Sequence, residues 1–131
     1  MMASRMSRTI LVVDDEESIR VMFRDYLEAR GCRVFEAQNG AEAFNIASKE
    51  KPDVIIMDLS MPDVGGAAAT SVLRELVTTA RIPIIICSGQ DEREARRLLS
   101  FGPKLRFMSK PVDLDKVWAL AVELTPGKGK P

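Results

Sequence analysis

The chain has 131 residues, with 19 lysines and arginines balanced by 19 aspartates and glutamates, two cysteines, one tryptophan and no histidine. That length is one domain of ordinary size, and an apolar fraction of 46% supports a core without disulfides or metal. Zero net charge excludes a general electrostatic pull toward nucleic acid or an anionic membrane surface. The absent histidine excludes a Ser-His or Cys-His pair, a histidine metal ligand and a phosphohistidine on this chain.

Cys32 and Cys87 match no metal or redox spacing and lie beside or inside apolar runs, so they read as small buried hydrophobes in a reducing compartment. Met1 to Ser7 lacks the apolar centre of a signal peptide, and no apolar stretch approaches the ~20 residues of a membrane-spanning helix. A cytoplasmic location without membrane contact is the expectation.

In chain order, Ile10 to Val13 reads as a strand, and Glu16 to Arg30 as an amphipathic helix with Ile19, Met22, Phe23, Tyr26 and Leu27 on one face, ended by Gly31. Val34-Phe35 is a short strand. Asn39 caps a helix carrying Ala43, Phe44 and Ala47, stopped by Pro52. Val54 to Met57 is a strong strand that breaks at Asp58, and a loop with Pro62, Gly65 and Gly66 follows. A helical stretch holding Ala69, Val72, Leu73, Leu76 and Val77 comes next. Ile82 to Cys87 is the third strong run, with Pro83 near its start, where a missing donor is tolerated. Asp91 to Phe101 is a charged helix with Ala95, Leu98 and Leu99 inward, Phe107-Met108 a fifth strand, and Asp113 the cap of a helix with Leu114, Val117, Ala121 and Leu124.

Strands alternating with helices predict an α/β fold, a doubly wound parallel sheet with helices on both faces. Right-handed crossovers favour the flavodoxin-like order 2-1-3-4-5, with five helices. The expected layout is a disordered segment 1–8, a domain over 9–124 and a flexible tail 125–131.

Such a sheet gathers its carboxyl ends on one edge, where ligands bind. Asp14-Asp15, Asp58, Ser88 and Lys110 stand at the ends of strands 1, 3, 4 and 5. Crowded carboxylates destabilise a fold unless a cation joins them, and a few carboxylates with a carbonyl and waters suit Mg²⁺. A lysine and a hydroxyl beside them suit phosphoryl oxygens, so the set describes phosphoryl transfer. Taken singly, Asp14 and Asp15 are ordinary helix-capping residues, and Asp58, Ser88 and Lys110 ordinary loop residues. Their meeting on one edge favours a site.

The sequence Asp14-Asp15, then Pro52-Asp53 through Asp58 to Pro62, then Ser88, then Lys110-Pro111, resembles the receiver domain of two-component response regulators over roughly Thr9 to Leu124. The resemblance implies that Asp58 takes a phosphoryl group as an acyl phosphate from a sensor histidine kinase or histidine phosphotransfer domain. It implies that Asp15, Asp58 and the Ser60 carbonyl hold Mg²⁺, with Asp14 assisting through water. Lys110 would pair with phosphoryl oxygens, Ser88 and Phe107 would act as the switch, and Lys110–Pro111 would be cis. The chain would catalyse only its own phosphorylation and dephosphorylation.

Some positions depart from the family pattern. Ser88 stands where threonine is commoner, Gly65-Gly66 replaces an acidic-Gly pair, Ala67 to Ala69 are unusually small, and one extra residue with Pro103 lies between Gly102 and Lys110. Ser60 and Gln90 occupy positions that tune phosphoryl lifetime in the family. Helix 4 places Arg93, Arg96 and Arg97 on one side. They form either a solvated face or, with strand 5 and helix 5, a homodimer or effector surface without direct nucleic-acid binding. A flavodoxin-type cofactor binder would want a Ser/Thr-rich loop where Asp14-Asp15-Glu16-Glu17 stands. A phosphatase using Asp58 as nucleophile would want an acid–base group at Ser60 and a cap, and a binding-only receiver would not keep the whole set.

Overall fold

The computed structural model describes residues 7–61 and 65–128. The expected disorder of residues 1–6, Pro62 of the loop, and the tail residues 129–131 lie outside the described residues. The elements are β1 (Thr9–Val13), α1 (Glu17–Glu28), β2 (Arg33–Ala37), α2 (Gly40–Glu50), β3 (Val54–Asp58), α3 (Gly66–Glu75), β4 (Ile84–Ser88), α4 (Glu92–Leu98), β5 (Leu105–Ser109) and α5 (Leu114–Leu124), with a 3-10 turn at Pro126–Lys128. All strand pairs are parallel, in the expected order β2-β1-β3-β4-β5.

Alternation along the strands divides the core into two layers. Leu11, Val13, Ile55, Met57, Ile84 and Ile86 pack on the side of α2, α3 and α4, against Ala43, Ala47, Ala69, Leu73 and Ala95. Ile10, Val12, Val54, Ile56, Ile85 and Cys87 face α1 and α5, against Phe23, Leu27, Val117 and Ala121. With both faces covered, β1, β3 and β4 are apolar at nearly every position. Burying side chains such as Phe23 or Ile55 contributes about 2–3 kcal/mol each.

The caps form as the sequence predicts. Asn39 accepts from the Glu42 amide, Asp113 accepts from the Asp115 and Lys116 amides, and Gly31 ends α1 at φ +84°. Several boundaries differ. α3 stops at Glu75 because Thr79 Oγ1 donates to the Leu73 carbonyl at 2.7 Å while the Thr79 and Ala80 amides both take Leu76. Leu76 and Val77, expected in the helix, therefore lie beyond its end, and Val77 is 96% exposed. α4 ends at Leu98, which is exposed, and only Ala95 and Leu99 of the expected trio are buried. Pro103 disfavours helix at the residue before it. The chain instead turns through Gly102 to Leu105, whose amides and carbonyls bond reciprocally at 3.1 and 3.2 Å.

That turn absorbs the extra residue. Arg74 pins it, donating to the Lys104 carbonyl at 2.6 Å and to Ala80 and Ile82 carbonyls at 3.2 and 2.7 Å. β2 and β5 are longer than their apolar dipeptides, because pairing with β1 and β4 carries charged Arg33, Glu36 and Arg106 into the ladders. β4 begins at Ile84, after Pro83. Packing continues beyond residues 9 and 124: buried Arg8 donates to Thr125 Oγ1 at 2.7 Å, and Lys128 pairs with Asp53 at 3.7 Å.

α3 starts hard against the end of β3. A Cβ on Gly66 would lie 2.0 Å from the Asp58 carbonyl oxygen, whereas one on Gly65 meets nothing nearer than 3.6 Å. Gly66→Ala should therefore cost about 2 kcal/mol in urea unfolding. Gly65→Ala, which only weakens an N-cap, should cost about 0.5 kcal/mol. Equal costs would contradict the close approach.

Candidate functional site

β1 runs straight into Asp14, which is buried and fixed at every polar group: its amide donates to the Ala37 carbonyl at 3.1 Å, and Oδ1 accepts from the Glu16 amide at 2.9 Å. Arg20 Nη1 donates to its carbonyl oxygen at 2.7 Å. Asp58, the last residue of β3, is 6% exposed and accepts from the Ser60 amide at 3.4 Å. Lys110, beyond β5, bridges the two acids, with Nζ 3.2 Å from Asp14 Oδ2 and 3.3 Å from Asp58 Oδ1. Its own amide donates to the Ser88 carbonyl at 2.8 Å, so β4 holds the lysine in place, and the Lys110–Pro111 bond is cis.

Burial, then the charge of Asp14, raises the Asp58 carboxyl above the ordinary carboxylate range, and Lys110 and the Ser60 amide offset only part of this. Burial works against the charge on Lys110, but Asp58 and Asp14 together raise it above the ordinary lysine value. The lysine is therefore a fixed cation. One ligand oxygen from each of Asp14, Asp15 and Asp58 lies within 4.8 Å of the others, with Asp14 and Asp58 buried and Asp15 exposed. One lysine against three carboxylates leaves negative charge over, and this donor set suits a small hard divalent cation.

Ser88 is fully buried at the end of β4, and its Oγ accepts from the Gln90 amide at 3.0 Å. Its hydroxyl proton is thus turned away from that bond. Phe107 is half-buried on β5 and edge-on to Phe101, with ring centroids 6.0 Å apart. Beside Lys110 opens an apolar hollow of ≈ 140 Å³, lined by Ile19, Met22, Phe23, Pro111 and Val112. On α4, Arg96 pairs with Glu92 and Arg97 with Glu94, as a solvated face would. Burial pushes the Cys32 thiol up to about 11 and Cys87 to about 12, so neither is a nucleophile.

Arg20 and Glu36 escaped the sequence reading. The available signal was spacing: Arg20 flanks the apolar stripe of α1 beside Leu27, six residues past Asp14.

The sequence profile described as the response regulator receiver domain matches residues 10–121. The chain is 35% identical to protein PilH of Pseudomonas aeruginosa over 104 residues, which is 79% of this chain and 86% of PilH. It is 36% identical over 113 residues, 86% of its length, to the CAI-1 autoinducer sensor kinase/phosphatase CqsS of Vibrio cholerae, of which it spans only 16%. Its fold is similar to the receiver domain of sensor histidine kinase PA1611 from Pseudomonas aeruginosa, solved with a magnesium ion coordinated in the active site cleft, at TM-score 0.83 and 24% identity over 92% of this chain and 98% of that one. With the family profile spanning most of its length and an acid-lined sheet edge closed by a lysine, the chain belongs to the receiver domain family of two-component response regulators.

Proposed function

We propose that Asp58 is a phosphoacceptor, taking its phosphoryl group from the phosphohistidine of a sensor histidine kinase or histidine phosphotransfer domain. The observation that carries this reading is the buried Asp58 carboxylate bridged by Lys110 Nζ to Asp14. An Asp58 carboxylate oxygen attacks phosphorus, the phosphorus–nitrogen bond to the partner's imidazole breaks, and the imidazole leaves with the bonding pair. No histidine of this chain can be the donor, since it has none.

Lys110 stays protonated and is placed to accompany the phosphoryl oxygens. The Ser88 hydroxyl, whose oxygen accepts rather than donates in the bond to Gln90, retains a proton for a phosphoryl oxygen. Mg²⁺ is the cation proposed for Asp14, Asp15, Asp58 and the Ser60 carbonyl; it would neutralise these acids and draw charge from the phosphoryl group. The magnesium in the PA1611 receiver domain supports that choice. The apolar hollow beside Lys110 offers a partner helix a place to pack near the reacting atoms. We place the reaction in the cytoplasm, where buried Cys32 and Cys87 stay reduced.

The acyl phosphate would draw Lys110 from Asp14 and engage Ser88, biasing β4 and β5 toward a second arrangement read by a partner or a second copy at α4, β5 and α5. Phe107 is the proposed switch aromatic. Amide exchange with and without beryllofluoride should change between Asp91 and Lys110; unchanged protection there would remove this face from the switch.

Exposed to Mg²⁺ and acetyl phosphate, the wild type should gain the mass of one phosphoryl group, and Asp58→Asn none. Lys110→Met should slow the gain about 100-fold or more. An adduct that persists in Asp58→Asn would move the acceptor elsewhere.

Because the folded carboxyl of Asp58 is raised, the folded state holds a proton more tightly than the unfolded chain. The resulting cost is absent below the unfolded carboxylate pKa, grows as pH rises to the folded one, and is complete above it. In chelator at neutral pH, Asp58→Asn should raise Tm above the wild type. Added Mg²⁺ should narrow that gap by stabilising the wild type more.

A further inference from the structure

We propose that Arg20 is a positioning residue for the cation site, holding the Asp14–Asp15 peptide so that the Asp15 carboxylate is aimed into the acidic cluster; this rests on Mg²⁺ occupying that cluster, as proposed above. Arg20 Nη1 donates to the Asp14 carbonyl at 2.7 Å from a side chain only 14% exposed. Its Nε donates to Glu36 Oε1 of β2 at 3.2 Å, and the other oxygen of Glu36 is taken by Arg24 at 2.9 Å. A guanidinium engaged at two edges by partners on two elements is rigid in a way a lone surface arginine is not.

Asp14 does not depend on this grip. Ala37 takes its amide, and Glu16 and Lys110 hold its two carboxylate oxygens. The constraint therefore passes onward: a peptide is planar, so fixing the Asp14 carbonyl fixes the direction in which the chain enters Asp15. Asp15 is the one exposed carboxylate of the three, and the one whose aim is not set by burial.

Charge and geometry predict opposite signs here. If Arg20 acted only as a nearby positive charge, removing it would tighten binding of a divalent cation. If it aims Asp15, removing it weakens binding and leaves Asp58 and Lys110 intact.

Mg²⁺ alone is titrated into the full chain of the wild type, Arg20→Gln and Arg20→Lys, following Tm. The Mg²⁺ needed for half-maximal phosphorylation by acetyl phosphate is measured beside it. Arg20→Gln should need about ten-fold more Mg²⁺ in both assays, with a maximal rate near the wild type's. Arg20→Lys, which keeps the charge and one donor, should fall between. Binding by Arg20→Gln as tight as the wild type's, or tighter, would overturn the proposal. So would a lower maximal rate at an unchanged Mg²⁺ requirement. Should Arg20→Gln fail to fold, Arg20→Lys decides, and a wild-type requirement in that variant overturns the proposal. A wild type that Mg²⁺ neither stabilises nor activates would overturn the Mg²⁺ reading itself, and this inference with it.

Discussion

Lys110 Nζ stands within 3.3 Å of both Asp14 and Asp58, and two carboxylates as buried as these are poor neighbours without it. The ammonium does not neutralise the edge, since Asp15 adds a third negative charge and Asp58 remains harder to ionise than an ordinary aspartate. The site is thus held in electrostatic deficit, organised by one cation and short of another. That shortfall is what makes the edge a candidate site for a further cation. Much of the fold can be read as the means of holding these charges close.

The parallel sheet does most of this work. Every strand delivers its last residue to the same edge, so neighbours β1, β3 and β4 bring Asp14, Asp58 and Ser88 together with no need for contact along the sequence. Small residues do the rest. Alanines on α2, α3 and α4 let helices lie near the sheet, and Gly66 lets α3 begin against the carbonyl of Asp58 itself. Arg20 and Glu36 extend the same logic to the loop after β1, where backbone rather than side chain is held.

Most of this was legible in the sequence because it depends on local signals. Apolar β-branched runs located β1, β3 and β4, and abrupt polar residues at their ends located the acids and Ser88. What escaped depends on competition between local patterns and tertiary bonds. Val77 continues the apolar period of α3, yet Thr79 captures the Leu73 carbonyl and ends the helix first. Leu98 lies on helical spacing, but the turn at Gly102 requires the chain to leave the helix at Leu99. The edge strand β2 was legible only as Val34-Phe35, because its flanking Arg33 and Glu36 are charges that a two-sided sheet tolerates at its border. Arg20 carried no mark of its role because its partners, a carbonyl and a strand glutamate, are remote or carry no side-chain signature.

The two thiols give the molecule an internal clock. Cys32 lies at the turn after α1 and Cys87 in the middle layer on β4, and burial keeps both protonated well above neutral pH. Alkylation requires thiolate and access together, so each cysteine can react only in the moments when its surroundings come apart. Cys87 stands beside Asp58 in the register of β3 and β4, and its labelling rate therefore times the breathing of the sheet at the site. Cys32, 8% exposed near the surface, times the loosening of one helix end. Because they sit in different parts of the fold, their two rates separate a local opening from a collapse of the whole.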